Sequence, residues 1–318
     1  MSQDEVLSRL EVMDVAPYEE LRPLLFSIAY GMLGSVSEAE DVVQEAFLRF
    51  HRVVSHGEEI ESPKAYLSAV TTRLSIDHLR SARVRREHYV GEWLPEPLVT
   101  DAVPDAAEHA ATADSLSMAF LVLLENLSPV ERAVFLLREV FDYGYDEIAR
   151  VVGKSEANCR QLYVRARRHI HAGKPRFDAS REQREKLAQR FFAAAEEGDV
   201  EALERMLVDD VVVYGDGGGK APSWPRPIVG RRRVSRLMAG VLAQAREYGA
   251  SWRPTEVNGQ PGVMFLDSEG RIASVMSVDV ADGLIQTIRS VINPDKLAHL
   301  GPVADVRWIL RSRREGSA

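Results

Sequence analysis

The sequence is poor in cysteine, in long apolar runs and, over one stretch, in positive charge. A single cysteine, Cys159, among 318 residues excludes an internal disulfide framework and a cysteine-rich zinc site. No apolar run approaches the ~18–20 residues that span a bilayer. Met1–Asp14 carries Asp4, Glu5, Glu11 and Asp14 without the apolar core of a secretory signal. These absences set the expectation of a soluble, cytoplasmic protein with no metal and no cofactor. Between residues 87 and 126 there is no lysine or arginine, against eight acids. A run of one sign reads as a solvated linker or as a segment that occupies a basic groove.

What is present is ordinary globular composition. Hydrophobic residues make up 45% and charged residues 28%, which excludes wholesale disorder. At ~100–200 residues per domain, the length suggests two or three domains. The formal net charge of −8 taken alone argues against nucleic acid. Its distribution does not. Residues 1–86 are net −4, 87–126 net −8, 127–176 net +4 and 177–318 neutral. Four units follow from these differences and from the patterns below: 1–86, an acidic linker 87–126, 127–176 and 177–318.

The first unit is helical in pattern. Leu21, Leu24, Leu25, Ile28 and Ala29 recur at helical spacing before Gly31 and Gly34. A second helix is expected after Ser37 as N-cap, with Val43, Ala46, Phe47 and Phe50 as its apolar stripe. His51–Ser62 reads as a loop. Pro63 suits the first turn of a third helix with a basic end at Arg80, Arg83, Arg85 and Arg86. In the linker, Trp93-Leu94-Pro95-Glu96-Pro97 forbids regular helix, and helical patterning resumes near 115–124. Ser128-Pro129-Val130-Glu131 then looks like a capped helix start.

Tyr145–Val152, Gly153 and a helix from Glu156 to about His171 fit a helix-turn-helix. Cys159, Tyr163, Ala166 and Ile170 form the inner stripe of the second helix. From Lys154 to Arg176 there are seven bases and one acid. Lys154, Ser155, Glu156, Asn158, Arg160 and Gln161 lie at the end that would enter a major groove and reach base edges. Arg165, Arg167 and Arg168 are better placed for phosphates. Cys159 reads as a small core side chain.

Beyond 177 the pattern changes. Helices are expected at about Arg181–Glu197, Val200–Leu207 and Arg231–Tyr248. Strand-like runs are Val211–Tyr214, Ser251–Val257, Val263–Leu266, Ile272–Val280 and Leu284–Ile292, with hairpin signals at Gly270 and Asp282-Gly283. This is an α+β unit with a curved antiparallel sheet. Asp216-Gly217-Gly218-Gly219-Lys220 lacks the spacing of a phosphate-binding loop and reads as a flexible loop. Asp216, Asp267, Asp279 and Asp282 have no His or Tyr partner at readable spacing, so catalysis is not expected. Trp224, Trp252 and Phe265 fill a core or line a cavity.

The first 175 residues resemble an extracytoplasmic-function (ECF) RNA polymerase sigma factor. The resemblance rests on Ala39-Glu40-Asp41-Val42-Val43-Gln44-Glu45-Ala46-Phe47-Leu48, on Pro63-Lys64-Ala65-Tyr66-Leu67, on Asp77-His78-Leu79-Arg80-Ser81, and on the stretch from Leu127-Ser128-Pro129 through Ala166-Arg167. It implies an all-α sigma-2 bundle and an all-α sigma-4 helix-turn-helix domain. Asp41, Gln44, Glu45 and Leu48 would dock on the polymerase β′ clamp, with a second contact at the β flap. The third helix would read the −10 element, with Lys64, Tyr66, Arg73, Arg80 and Arg83 as contacts. The helix-turn-helix would read the −35 element. The anionic linker suits a path through polymerase channels that otherwise hold nucleic acid.

The remaining ~140 residues resemble the SnoaL-like branch of the NTF2-like fold, an α+β cone carried by one subgroup of these factors. Trp93–Pro97, Asp216–Lys220 and Asn293-Pro294-Asp295-Lys296-Leu297 carry that resemblance. It implies intramolecular contacts among these three motifs that regulate the sigma modules in cis, in a monomer needing no separate anti-sigma factor. The alternatives are an extension that senses or converts a small molecule, and a repressor using the helix-turn-helix alone.

Overall fold

In a computed structural model of the chain, the described residues are 16–86, 89–99, 116–171, 180–224 and 226–306. The side chains of 82–86 lie outside that description, and the expected contact of Arg83 with them.

Three helices form the first bundle: α1 (Ala16–Leu33), α2 (Val36–Ser55) and α3 (Pro63–Arg86). Ser35, not Ser37, caps α2, and its hydroxyl accepts from the Glu38 amide at 3.2 Å. The helix runs to Ser55, so the expected loop at His51–Ser62 shrinks to the residues after it. Pro63 opens α3 as its fixed φ favours.

The second all-α unit comprises α4 (Met118–Leu124), α5 (Pro129–Glu139), α6 (Tyr145–Val152) and α7 (Glu156–His171). Ser128 and Glu131 cap α5 reciprocally, as the sequence suggests. Gly153 closes α6 in the left-handed region, at φ 65°. Ser155 then accepts from the Asn158 amide at 3.3 Å and starts α7.

The two units are not separate in packing. Leu25, Leu33, Val43, Leu67 and Leu79 of the first share one apolar core with Leu121, Leu124, Phe135, Leu136 and Ile170 of the second.

The extension starts with α8 (Arg181–Glu197) and α9 (Val200–Met206) and continues through β1 (Leu207–Asp216), β2 (Ile228–Val229) and α10 (Arg231–Glu247). It ends with β3 (Ser251–Val257), β4 (Gln260–Leu266), β5 (Ile272–Ala281), β6 (Leu284–Val291) and α11 (Pro294–Leu297). The sheet order is β2-β1-β6-β5-β4-β3. The expectation of an antiparallel sheet needs correcting, because β1 and β6 are parallel. After β2, α10 carries the chain to β3 at the opposite edge, and the meander β3 to β6 then returns it beside β1. β1 is also longer than the apolar run Val211–Tyr214 suggested, since polar Asp209 and Asp210 lie within it.

Both faces of this sheet are covered. One face packs Val213, Phe265, Met276, Val278 and Ile288 against Phe191, Phe192, Met238 and Leu242 of α8 and α10. The sheet and these helices make an α+β unit. The other face packs Met264, Val275 and Val291 against Leu94 and Val99 of the linker and Met118 of α4. Central strands buried on both sides read as continuous apolar runs, as β4 does from Val263 to Leu266, whereas β5 also buries Ser274, Ser277 and Asp279.

Candidate nucleic-acid interface and linker clamp

The α7 surface follows from its helical period. Cys159, Leu162, Ala166 and Ile170 are buried, and burial pushes the Cys159 thiol pKa upward. Tyr163, expected in the same stripe, is half-buried, and its hydroxyl donates to Glu139 Oε2 at 2.5 Å. Lys154, Ser155, Glu156, Asn158, Arg160, Gln161, Arg165, Arg167 and Arg168 are all exposed. Arg160 pairs with Glu156 at 2.8 Å and lies 5.0 Å from the Tyr145 ring centroid. Such exposed pairs are weak and leave the guanidinium available to a stronger acceptor.

On α2, Asp41, Gln44 and Leu48 are exposed at spacings of three and four, along one face. Glu45 is half-buried and pairs with Arg49 at 2.7 Å. Leu48 is 48% exposed, an uncovered apolar group amid polar neighbours.

Candidate contacts on α3 divide. Lys64 and Arg80 face solvent, Arg80 beside Asp77 at 3.1 Å. Tyr66 is half-buried against Phe50, with ring centroids 6.0 Å apart. Arg73 is engaged elsewhere. Its Nε and Nη2 donate to the Val151 and Arg150 carbonyls at 2.9 and 2.7 Å. These carbonyls are at the C-terminal end of α6, where the helix dipole favours a cation. Arg73 as placed here ties the two helical units together.

Two further groups join the units. Arg132, 2% exposed, donates to the Met32 carbonyl at 2.6 Å, the Leu124 carbonyl at 3.0 Å and Glu125 Oε1 at 2.7 Å. Tyr143 donates to the Ser68 hydroxyl at 2.8 Å. A guanidinium this buried is tolerated only with its donors satisfied.

The linker is held from both sides. Glu96 lies across the start of α2 and accepts from the Ser35 hydroxyl at 2.8 Å and the Val36 and Ser37 amides at 2.7 and 3.1 Å. A carboxylate there satisfies orphan amides and complements the helix dipole. The Glu96 amide donates to the Gly34 carbonyl at 2.8 Å, and its carbonyl accepts from the Tyr30 hydroxyl at 2.7 Å. Pro95 packs beside Gly34 with Trp93. The Pro97 carbonyl is 3.0 Å from His299 Nε2.

The extension grips the same segment through Asp216, which is fully buried. Its carboxylate accepts from the Leu94 amide at 2.8 Å, the Tyr89 hydroxyl at 2.5 Å and Lys296 Nζ at 2.6 Å. Lys296, 7% exposed, also donates to the Leu94 carbonyl and sits 4.3 Å from the Trp93 ring centroid. Burial, with the carboxylate beside it, pushes the Tyr89 hydroxyl pKa up, so it stays protonated and donates.

Asn293 caps α11 by accepting from the Asp295 amide and donates to Tyr89 at 2.9 Å. Pro294 occupies the first turn of α11, and Leu297 is buried beneath the linker. Lys220 pairs with exposed Asp295. The glycine run is not the free loop expected. The Gly217 carbonyl accepts from the Lys220 amide at 2.9 Å, and Gly219 sits against Val90. Gly218 has φ +58°, and a Cβ there would be 2.2 Å from Asn293 Nδ2.

The three motifs thus converge on one buried node. Sequence reading missed Tyr89, Tyr30, Asn258, Arg132 and His299. Asn258 donates to the Tyr30 hydroxyl at 2.7 Å and the Leu116 carbonyl at 3.0 Å, and accepts from the Leu98 amide at 3.0 Å. These partners are far apart in sequence and carry no local pattern. Asn258-Gly259 is a two-residue hairpin signal between β3 and β4, which the positive φ of 51° at Asn258 fits, but the partners of its side chain are not encoded there. Of the other carboxylates considered, Asp267 holds a turn with Arg271, Asp279 pairs with buried Arg289 and Asp282 occupies a tight turn. Among the described residues, no cluster of His, Cys, Asp or Glu could hold a metal ion, and no helix is long and apolar enough to cross a membrane.

Comparison with known proteins follows this geometry. Residues 17–85 match the family model for Sigma-70 region 2, and 117–170 that for Sigma-70, region 4. The second match takes in α4, in a stretch that charge alone places in the linker. The chain is 36% identical to the ECF RNA polymerase sigma factor SigJ of Mycobacterium tuberculosis (strain H37Rv) over 295 residues, covering 89% of this chain and 93% of that one. It is 31% identical to the probable ECF sigma factor SigI of the same organism over 284 residues, covering 89% and 94%. The crystal structure of M. tuberculosis SigJ superposes with a TM-score of 0.73 at 34% identity, over 92% of this chain and all of that one. The repressor alternative leaves the region 2 match unexplained. The chain belongs to the extracytoplasmic-function group of RNA polymerase sigma factors, and it includes the α+β extension present in SigJ.

Proposed function

We propose that the extension acts in cis as a clamp on the linker and keeps the two sigma modules in one closed packing until core polymerase and promoter DNA replace it. The observation that carries this is the buried Asp216 carboxylate, which binds the linker through the Leu94 amide and Tyr89 while paired with Lys296. The closed packing occupies Arg73 and Ser68 of α3 with groups of the second module, so the α3 surface is not fully open to the −10 element. On this reading α7 reads the −35 element through Ser155, Glu156, Asn158, Arg160 and Gln161. Lys154, Arg165, Arg167 and Arg168 supply phosphate contacts. Lys64, Tyr66, Arg80 and Arg83 serve the −10 element, joined by Arg73 once released. The α2 face of Asp41, Gln44, Glu45 and Leu48 docks on the β′ clamp, and the second module on the β flap. The clamp replaces a separate anti-sigma factor, the free chain is a monomer in the cytoplasm, and the extension is regulatory rather than enzymatic.

Run-off transcription with core polymerase tests this, comparing the full chain with fragments ending at several points near residue 175. Altered activity of the fragments is expected. Unchanged activity at every truncation point removes the regulatory role while leaving the sigma function intact.

A further inference from the structure

The extension contains a cavity of about 400 Å³ between α10, the sheet and the segment 221–224. That volume lies within the ~300–1,000 Å³ of small-molecule sites. Trp224, Phe265 and Met276 supply much of its wall. Its side-chain polar groups come from Ser223, Gln244 and Ser274, with the Trp224 indole, and among the described residues no ionisable side chain lines it. The Ser223 hydroxyl is buried and has no hydrogen-bond partner. A buried polar atom left unpaired is costly, and a ligand that supplies the missing hydrogen bond recovers that cost.

The cavity wall and the clamp are adjacent in β1. Trp224 lies on Gly215, where a Cβ would sit 2.3 Å from the indole ring. The next residue, Asp216, turns to the opposite face of the sheet and holds the linker. Segment 221–224 also follows directly on Gly217–Lys220, whose turn packs against Tyr89 and Val90.

We propose that this cavity binds an uncharged, largely apolar small molecule carrying one hydrogen-bonding group, which meets Ser223. We further infer that occupancy tightens the clamp through Trp224 and Gly215; this second step rests on the clamp reading above. Among the described residues the wall offers no carboxylate, imidazole or thiol to act as a general acid or base, and what it does offer is apolar contact with a hydroxyl.

Calorimetric titration of the full chain with 2-naphthol tests the site, with naphthalene-2-sulfonate as the charged counterpart. Single-site binding of 2-naphthol with a rise in Tm is expected, and none of the sulfonate, whose charge would be buried unpaired. Ala245→Trp, which fills the cavity from α10, should abolish binding. Ser223→Ala should weaken 2-naphthol about fivefold but leave naphthalene unchanged. Absence of 2-naphthol binding, or equal binding by Ala245→Trp, overturns the site. Hydrogen exchange over 92–98 tests the coupling, and saturation should slow it severalfold. Binding without that slowing overturns the coupling alone. Fast exchange of the Leu94 amide in the free chain overturns the clamp reading instead.

Discussion

The α7 surface and the Asp216 node handle charge in opposite ways. On α7 and the turn before it nine candidate contacts are exposed within fifteen residues, and the ion pairs of Arg160 and Arg165 are weak or remote. At the node, Asp216 and Lys296 are at most 7% exposed and come from positions 80 residues apart. Their third participant, the linker, comes from 122 residues before Asp216. An exposed charge can be replaced at little cost to folding, whereas a buried one depends on its partner. The first arrangement suits a surface awaiting an external polyanion. The second suits an internal joint whose release needs an alternative set of contacts.

The contrast is broken most severely at the node. Lys296→Met should leave Asp216 buried without its cation and cost about 3–5 kcal/mol of stability. Urea unfolding followed by tryptophan emission would read this, since Trp93 borders Lys296. Arg168→Ala, on α7, should change the same midpoint by less than about 0.5 kcal/mol. Equal effects of the two substitutions would mean that the buried pair is dispensable.

Next in size is DNA binding. Arg160→Ala should lose about 1–3 kcal/mol toward a −35 duplex and relax selectivity at one base position. Arg168→Ala should weaken all sequences alike and lower the salt slope by about 1. Mobility shifts at several salt concentrations separate the two outcomes. If Arg160→Ala binds normally, the base-reading face lies elsewhere on α7.

Gly218→Ala is expected to cost about 1–2 kcal/mol, because the residue must hold a positive φ against Asn293. Faster hydrogen exchange over 89–94 would report it. No change there would show that the glycine turn does not bear on the linker.

The smallest effect is that of pH. His299 is half-buried against the Pro97 carbonyl, and this desolvation holds its imidazole below the usual range. The Pro97 carbonyl, the Glu96 carboxylate and the Lys296 backbone each offset part of that shift. A depressed histidine pKa means that the unfolded chain binds the proton first. The His299 contribution is therefore fully present above about pH 6.5 and falls as pH drops toward the folded-state value. A modest fall in Tm between pH 7 and 6, absent in His299→Gln, is expected. An equal fall in both chains would assign the effect to another group.

The same contrast explains what could be read in advance. The boundaries of α7, the Gly153 turn and the buried Cys159 stripe follow from local period and capping, which one stretch of sequence contains. The node was legible only as three short motifs, and their convergence rests on the resemblance rather than on any periodicity. Tyr89, Tyr30 and Arg132 had no signal, because each is defined by a partner from another unit, and Asn258-Gly259 signals only its own hairpin. Strand β1 was read too short, since hydrophobicity marks burial and not pairing. The parallel pairing of β1 with β6 is a property of the crossover, which neither strand encodes alone. The resemblance makes Arg73 a −10 contact, and in the closed packing the same charge serves the α6 carbonyls.

Closed packing held by the extension can be measured as a distance. Spin labels at Leu48→Cys on α2 and Arg168→Cys on α7, with Cys159 replaced by alanine, report the separation of the two modules by pulsed dipolar spectroscopy. The full chain should give one narrow distribution, and addition of Lys296→Met should broaden it toward longer distances. A distribution that is already broad in the full chain, or that stays narrow and unshifted with Lys296→Met, would contradict a clamp centred on Asp216.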